Sequence, residues 1–79
     1  REMEEKLVKL IIAAREFSEK SKKYYAEISF DGYFGQININ IRNKKHEYVE
    51  TREIILKNVE KTKLNEVIEF IKNYEVQQW

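Results

Sequence analysis

The sequence predicts an α+β fold in which a helix, three antiparallel strands and a second helix follow one another along the chain. The clearest evidence is the segment from Gln36 to Arg42, where isoleucine alternates with polar residues. This period of two indicates a strand with one buried face. On both sides of the predicted strands, hydrophobic residues recur three or four positions apart, which is typical of amphipathic helices. We therefore expect a sheet of order 1-2-3 with both helices packed on one face.

The first helix is predicted from Glu2 to about Tyr24. Acidic residues crowd its start and lysines its end, where each charge interacts favourably with the helix dipole. Val8 and Ile12 lie off the main hydrophobic stripe, so they either form an apolar strip for a homodimer or contact the last helix. The stripe itself comprises Met3, Leu7, Leu10, Ile11, Ala14, Phe17 and Tyr24.

The first strand is predicted over about residues 25–30, and a two-residue type I′ turn at Asp31-Gly32 joins it to the second. This turn would pair Phe30 with Tyr33 and Ile28 with Gly35. Paired residues share a face of the sheet, so both strands agree on which side chains are buried. The predicted inner face carries Ile28, Phe30, Ile37, Ile39 and Ile41.

The third strand is predicted from about Glu47 to Leu56, and its register has two solutions. We favour the one in which the inward residues are uncharged, because the other would bury Glu50 and Arg52. Glu53 still points inward, so we expect a bulge or an edge position near Arg52 to Ile54. In this register Val49, Thr51 and Ile55 face inward, and Tyr48, Glu50 and Arg52 face outward.

The last helix is predicted to follow Lys61, with Thr62 as its N-cap. Its hydrophobic residues again fall at helical spacing, which predicts a single buried stripe. The stripe comprises Leu64, Val67, Ile68, Ile71 and Tyr74.

Length and composition limit the choice of function. At 79 residues, the chain is expected to be a single small domain over residues 1–79 with a small core. Fifteen Lys and Arg nearly cancel fourteen Asp and Glu, so no overall field attracts nucleic acid or membrane. The sequence has no cysteine for disulfides or thiolate metal sites, and no leader-like or long apolar run. These features favour a cytoplasmic protein without a membrane partner.

The polar face of the sheet is the first candidate site. Aromatic and arginine side chains are enriched in protein interfaces, and aromatic rings also stack on nucleic-acid bases. The alternative is an ordinary solvated sheet face. The predicted partner-binding residues are Tyr25, Phe34, Asn38, Asn40, Arg42, Tyr48 and Arg52.

A lysine-rich edge is the second candidate. The end of the first helix and the loop between strands two and three are predicted at the same edge of the sheet, near His46. Five lysines there could contact phosphates, although helix ends and loops commonly carry lysine for solubility, and Glu19 and Glu47 flank the two runs. The alternative phosphate-binding residues are Lys20, Lys22, Lys23, Lys44 and Lys45.

Catalysis finds little support in the sequence. The only aspartate, Asp31, lies in a predicted tight turn, and the only histidine, His46, lies in a lysine-rich loop. Acid-base chemistry and metal binding both need partner groups at suitable spacing. We therefore expect no enzyme activity, no cofactor and no metal, and we expect His46 to be an exposed loop residue.

The layout of helix, three strands and helix resembles the double-stranded RNA-binding domain and the HicA-type toxins. The RNA-binding family carries a Gly-Pro-x-His loop and a Lys-Lys-x-x-Lys run, where this chain has Asp31-Gly32 and Lys61-Thr62-Lys63-Leu64. The layout also resembles small phage-encoded anti-CRISPR inhibitors, and Ile41-Arg42-Asn43 with Glu47-Tyr48-Val49 is similar to a segment of one. Those inhibitors are acidic DNA mimics, whereas this chain is charge-balanced.

These observations predict a small non-enzymatic binding module, such as an inhibitor or adaptor, that contacts a protein partner through the exposed sheet face. The alternative is a nucleic-acid-binding domain with a layout like that of the double-stranded RNA-binding domain. It would use the lysine-rich edge on phosphates and recognise shape rather than sequence.

Overall fold

The computed structural model describes residues 2–58 and 61–77. It confirms the predicted α+β fold: a helix, three antiparallel strands in the order 1-2-3, and a helix. Within the described residues, no helix is long and apolar enough to cross a membrane. The elements are α1 (Glu2–Lys20), β1 (Tyr24–Asp31), β2 (Gln36–Asn43), β3 (Tyr48–Ile55), a short 3-10 turn (Leu56–Asn58) and α2 (Lys61–Gln77).

The core lies between the helices and the inner face of the sheet. Ile39 and Ile41 of β2 are fully buried and belong to one cluster with Leu10 of α1 and Ile71 of α2. All the residues of the predicted α2 stripe are buried, whereas Ile11 of the predicted α1 stripe remains 58% exposed. Alternation in β2 and helical spacing in α2 therefore correctly predicted the centre of the core.

The two helices lie side by side and run in the same direction. Near their starts, Lys6 Nζ donates a hydrogen bond to Asn65 Oδ1 at 2.7 Å. Near their ends, the rings of Phe17 and Tyr74 meet edge to face, with centroids 6.2 Å apart. Because α2 begins at Lys61, Thr62 lies within its first turn instead of capping it.

Helix α1 ends at Lys20, earlier than predicted. The Ser21 N–H donates to the Phe17 carbonyl at 2.9 Å and closes the last turn. The Ser21 hydroxyl then accepts the N–H of Lys23 at 3.2 Å and that of Tyr24 at 2.9 Å. This serine turns the chain into β1, so Tyr24 packs on the core from a strand instead of from the helix.

The turn between β1 and β2 is longer than the predicted type I′ turn. Asp31 pairs with Gln36, which leaves residues 32–35 in the turn. Asp31 Oδ1 accepts the N–H groups of Tyr33 and Phe34 at 2.9 and 3.3 Å, which is typical of an Asx turn. Gly35 has a left-handed φ of 61° and open space around the position of a Cβ, so glycine is needed here for the backbone conformation of the turn.

The strands of this hairpin keep their predicted faces, but Phe30, which was predicted to be buried on the inner face, is 63% exposed at the end of β1. Phe30 pairs with Ile37 instead of Tyr33, a shift of four positions along β2. Because side chains alternate between faces with a period of two, a shift by an even number leaves the residues that remain in the strands on their predicted faces, whereas Tyr33, Phe34 and Gly35 lie in the turn. The wrong turn length therefore gave the wrong cross-strand partners in β1 and β2 but the correct face for each strand residue.

The turn between β2 and β3 is tight and well connected. The His46 N–H donates to the Asn43 carbonyl at 2.9 Å, and the Asn43 N–H donates to the Glu47 carbonyl at 3.1 Å. Asn43 Oδ1 also accepts the N–H groups of Lys45 and Glu47. His46 has a φ of 68°, a left-handed conformation that glycine usually supplies in such hairpins.

The predicted register of β3 is wrong beyond its first pair. Arg42 faces Tyr48, as the prediction required, but a β-bulge at the next residue, Val49, places Glu50 opposite Ile41. The bulge therefore lies at the start of β3 and not near Arg52 to Ile54, although the edge position of β3 is confirmed. As a result, Glu50, Arg52 and Ile54 share the inner face, and Thr51, Glu53 and Ile55 share the outer face.

The two charged residues on the inner face are tolerated because they lie at the edge of the sheet. Arg52 Nη1 pairs with Glu50 Oε1 at 3.3 Å, and its guanidinium lies 4.2 Å from the Phe70 ring centroid. Both side chains keep part of their surface in water, so neither charge is fully desolvated. The register in turn buries Ile54, which is 1% exposed, and leaves Ile55 55% exposed.

Candidate functional site

The strongest candidate is an aromatic-arginine cluster on the outer face of the sheet, which we define as Tyr25, Arg42 and Tyr48. Arg42 lies on the central strand and is the cross-strand partner of both tyrosines. Alternation along β1 and β2 places Tyr25 and Arg42 on this face, and the tight turn before β3 places Tyr48 there before the bulge. The cluster lies at the end of the sheet where β1 begins.

Arg42 is held in one position by several contacts. Its Nη2 lies 3.2 Å from Glu27 Oε1, and its guanidinium carbon lies 4.0 Å from the Tyr48 ring centroid. Nη1 donates to the His46 carbonyl at 3.3 Å, and Nη2 also donates to the Tyr48 hydroxyl. Its buried Nε is without a hydrogen-bond partner among the described residues. A guanidinium fixed in this way loses little conformational entropy when it meets a partner.

The contacts around Arg42 favour its charged form. Burial lowers the pKa of Arg42, but the negative charge on Glu27, together with Tyr48 and Tyr25, more than offsets it and leaves the pKa above its ordinary value. The guanidinium therefore remains charged at every pH at which the fold is relevant. Its stack on Tyr48 does not depend on pH in the neutral range.

Tyr25 and His46 extend the cluster toward the turn. The Tyr25 hydroxyl and His46 Nδ1 share a hydrogen bond at 2.8 Å, and the two rings meet edge to face. His46 is exposed, as predicted, but it also ties the turn to β1. Sequence reasoning did not assign Glu27 or His46 to this site. Glu27 could have been found from alternation alone, because it lies two positions from Tyr25 on the same face.

Asn38 and Asn40 form a polar floor beside the cluster. Gln36 Nε2 donates to Asn38 Oδ1 at 2.8 Å, and Asn40 Nδ2 donates to Glu27 Oε1 at 3.3 Å. Thr51 Oγ1 donates to Asn40 Oδ1 at 3.0 Å. These hydrogen bonds orient the amides along a shallow, open depression on the outer face of the sheet.

Two predicted partner-binding residues lie elsewhere. Phe34 is in the turn over residues 32–35, where its ring contacts Tyr33 at a centroid distance of 4.8 Å. Tyr25 is six strand residues from Asp31, which separates the two ends of the sheet by about 20 Å. Arg52 lies on the inner face against Phe70, because of the bulge. Of the three aromatic residues predicted on the outer face, only Tyr25 and Tyr48 lie together there.

The two segments that carry the lysine-rich edge lie at the same end of the sheet. Tyr24 pairs with Asn43, so the end of α1 and the turn between β2 and β3 meet at the same end of the sheet. Lys44 Nζ lies 5.9 Å from the Tyr25 ring centroid, which brings this edge next to the aromatic-arginine cluster. The exposed lysines are Lys20, Lys22, Lys23, Lys44 and Lys45.

The apolar strip of Val8 and Ile12 is largely exposed, so α2 does not cover it. Among the residues that the structure describes, no group of three or more His, Cys, Asp or Glu side chains could hold a metal ion. Comparisons with protein-family models, with curated proteins and with solved structures found no match to this chain.

Proposed function

We propose that this chain is a non-enzymatic binding module that contacts a protein partner through the aromatic-arginine cluster. The observation that carries the proposal is the position of Arg42. It lies on the central strand β2, between Tyr25 of β1 and Tyr48 of β3, and its guanidinium is held on the Tyr48 ring. Tyrosine and arginine are the residue types that most often dominate binding energy at protein interfaces. A partner that covers Tyr48 and Arg42 would bury apolar ring surface and gain a charged hydrogen-bond donor together.

Rigidity further supports this proposal. The cluster lies on strands and a tight turn, and its arginine is bound by Glu27, the Tyr48 ring and a backbone carbonyl. Because these contacts already order the side chains, a partner would pay little additional entropy. A partner surface with a carboxylate and an apolar rim fits best, since the hydrogen-bonding capacity of the guanidinium exceeds what its present neighbours use.

The test is affinity capture with the wild-type chain as bait, in nuclease-treated extract and at two salt concentrations. Tyr48→Ala removes the stacked ring, and Tyr33→Ala is the matched control, because it removes an exposed tyrosine at the opposite end of the sheet. We expect the wild type and Tyr33→Ala to retain the same protein. Tyr48→Ala should weaken its binding by about 2 kcal/mol, or roughly thirtyfold.

Circular dichroism melting of each bait separates lost binding from lost folding. Retention of the partner by a folded Tyr48→Ala variant, with loss from Tyr33→Ala, would assign binding to the hairpin tip and contradict the proposal. A captured species that disappears with nuclease treatment would contradict it as well.

A nucleic-acid-binding role is the second candidate, because Lys44 lies over Tyr25 and the other lysines of the lysine-rich edge share that end of the sheet. Phosphate binding by four or five lysines should weaken by orders of magnitude between about 50 and 200 mM salt. Under this alternative, the double variant Lys44→Glu with Lys45→Glu loses binding to a double-stranded RNA probe. Under the protein-binding proposal, the same variant changes partner capture only modestly.

A further inference from the structure

A second surface lies along the free edge of β1, on the other side of the molecule from β3. Strand β1 is an edge strand, because the sheet has the order β1-β2-β3. The Tyr24 N–H donates to Ser21 Oγ at 2.9 Å, and the Ala26 N–H donates to Ser18 Oγ at 2.8 Å. Serine hydroxyls at the end of α1 therefore accept the backbone N–H groups along the first half of this edge.

The second half of the same edge is open. Backbone N–H groups of alternate residues in a strand point to the same edge, so those of Ile28 and Phe30 point the same way as that of Ala26. Within residues 2–58 and 61–77, no hydrogen bond is made by either of these two N–H groups. A strand edge of this kind is a template for pairing with another extended segment.

An apolar groove runs beside these two free amides. Ile11 of α1 faces Ile28 and Phe30 of β1 across it, and Ile11 and Phe30 are 58% and 63% exposed. Arg15 lines the groove on its helix side. The apolar lining favours apolar side chains on the helix side of a segment that enters here, and Arg15 disfavours basic ones there.

The opposite side of β1 carries negative charge. Glu27 and Asp31 project from the outer face on either side of Ser29. Glu27 is already paired with Arg42 at 3.2 Å, but no cation pairs with Asp31 in the described part of the chain. Basic side chains on the outer face of an added strand would lie next to these carboxylates, and the attraction to Asp31 would be the stronger.

From the open amides, the groove and the charges, we propose that β1 accepts an extended segment of a partner protein as a fourth strand. Apolar residues of that segment alternate with lysine or arginine, the apolar ones facing Ile11 and the basic ones facing Asp31. Main-chain hydrogen bonds to Ile28 and Phe30 provide the binding, and the alternation provides the selectivity.

A second copy of this chain does not meet these requirements. Antiparallel pairing of two β1 strands through their free amides would set Ile28 of one copy opposite Phe30 of the other. Glu27 would then lie opposite Asp31, and like charges directly opposite each other destabilise a strand pair.

The test uses a capped, fluorescently labelled peptide of about seven residues in which lysine alternates with valine. We expect fluorescence anisotropy to show binding, and hydrogen exchange at the amides of Ile28 and Phe30 to slow when the peptide is added. Ile11→Glu should weaken binding by about tenfold or more, because it places a charge in the apolar groove. Ile55→Glu is the matched control, since Ile55 is equally exposed on β3 and should leave binding unchanged.

Asp31→Asn keeps the side-chain oxygen that accepts the turn amides, and it should weaken binding by about twofold to fivefold at low salt only. Equal binding of a peptide with glutamate in place of lysine would overturn the proposal. So would equal binding of both N-methylated peptides, one methylated at every valine and the other at every lysine, because one of these two sets of amides must face β1. So would protection of Ile28 and Phe30 by the chain's own dimerisation. Loss of peptide binding in Tyr48→Ala but not in Ile11→Glu would assign the peptide to the aromatic-arginine cluster instead.

Discussion

Strands β2 and β3 have the same length and both carry isoleucines, but β2 is the central strand of the sheet and β3 is an edge strand. Strand β2 has a neighbour on each side, and Ile37, Ile39 and Ile41 are all buried under the helices. Strand β3 has a neighbour on one side only. It carries a bulge, and two of its three inner-face residues, Glu50 and Arg52, are charged.

The difference shows what an edge strand needs beyond a hydrophobic face. Inward-pointing charges and bulges discourage an edge from pairing with other chains. In β3 the bulge sets Glu50 and Arg52 on the inner face, where the arginine still finds the Phe70 ring and the glutamate. The other edge, β1, has an acidic outer face and a partial cover of serine hydroxyls instead, so the two edges of one sheet are not equivalent.

The largest expected effect is at the centre of β2. Ile39→Ala leaves a cavity in a fully buried site and should cost about 2 to 5 kcal/mol, which is a large part of the stability of a small domain. Asn38→Ala, one position away on the outer face, should cost less than about 1 kcal/mol. Urea denaturation of both variants measures the difference. Equal costs would show that the two faces of β2 are wrongly assigned.

The next effect concerns the register of β3. Ile54→Ala should cost about 2 to 3 kcal/mol because Ile54 is 1% exposed, whereas Ile55→Ala should cost about 0.5 kcal/mol because Ile55 is 55% exposed. These adjacent isoleucines form a matched pair that differs only in face. If urea denaturation shows that Ile55→Ala costs more stability than Ile54→Ala, Ile55 is the buried residue and β3 has the register without a bulge.

A smaller, pH-dependent effect links β3 to α2. Burial raises the pKa of the Tyr74 hydroxyl above 10.0, and Glu50 and Tyr24 raise it further, whereas Arg52 lowers it. The folded state thus holds this proton more tightly than the unfolded state does. The corresponding stability is complete below pH 10 and is lost as the pH rises through the folded pKa.

Melting temperatures measured from neutral to strongly alkaline pH check this effect. Tyr74→Phe should match the wild type near neutrality and lose less stability in the alkaline range, and Glu50→Gln should lower the pKa of Tyr74 toward 10.0. An unchanged tyrosinate titration of Tyr74 in Glu50→Gln would mean that Glu50 faces away from α2.

The smallest effect is expected in the turn that starts β3. His46 has a φ of 68°, which costs an L-residue about 1 kcal/mol and glycine almost nothing. His46→Gly and His46→Ala both remove the hydrogen bond to Tyr25, so their difference isolates the backbone contribution. We expect the glycine variant to be more stable by about 1 kcal/mol in urea. Equal stability would place His46 outside the left-handed region.

Periodicity predicted those parts of the molecule where one face is clearly apolar. The stripe of α2 and the faces of β2 followed from it directly, and so did the shared face of Tyr25 and Arg42. The register of β3 did not, because Ile54 and Ile55 are both apolar and either could be buried. The bulge that decides between them follows a turn in which histidine takes a conformation usual for glycine, and composition does not reveal this.

The site was predicted only in part for a related reason. Phe34 was misplaced because the length of its turn depends on hydrogen bonds that Asp31 Oδ1 accepts from the N–H groups of Tyr33 and Phe34, and no hydrophobic pattern reveals these bonds. The bulge moved Arg52 to the inner face. Tyr48 kept its predicted face because it precedes the bulge.

The parallel packing of α1 and α2 has a consequence for the order of folding. The hydrogen bond between Lys6 and Asn65 joins positions 59 residues apart, whereas α1, β1 and β2 follow one another directly along the chain. Closing so long a loop costs entropy that its contacts offset only when the sheet is in place. Docking of α2 should therefore come late, and truncating Leu64 or Ile71 should accelerate unfolding more than it slows folding in stopped-flow experiments.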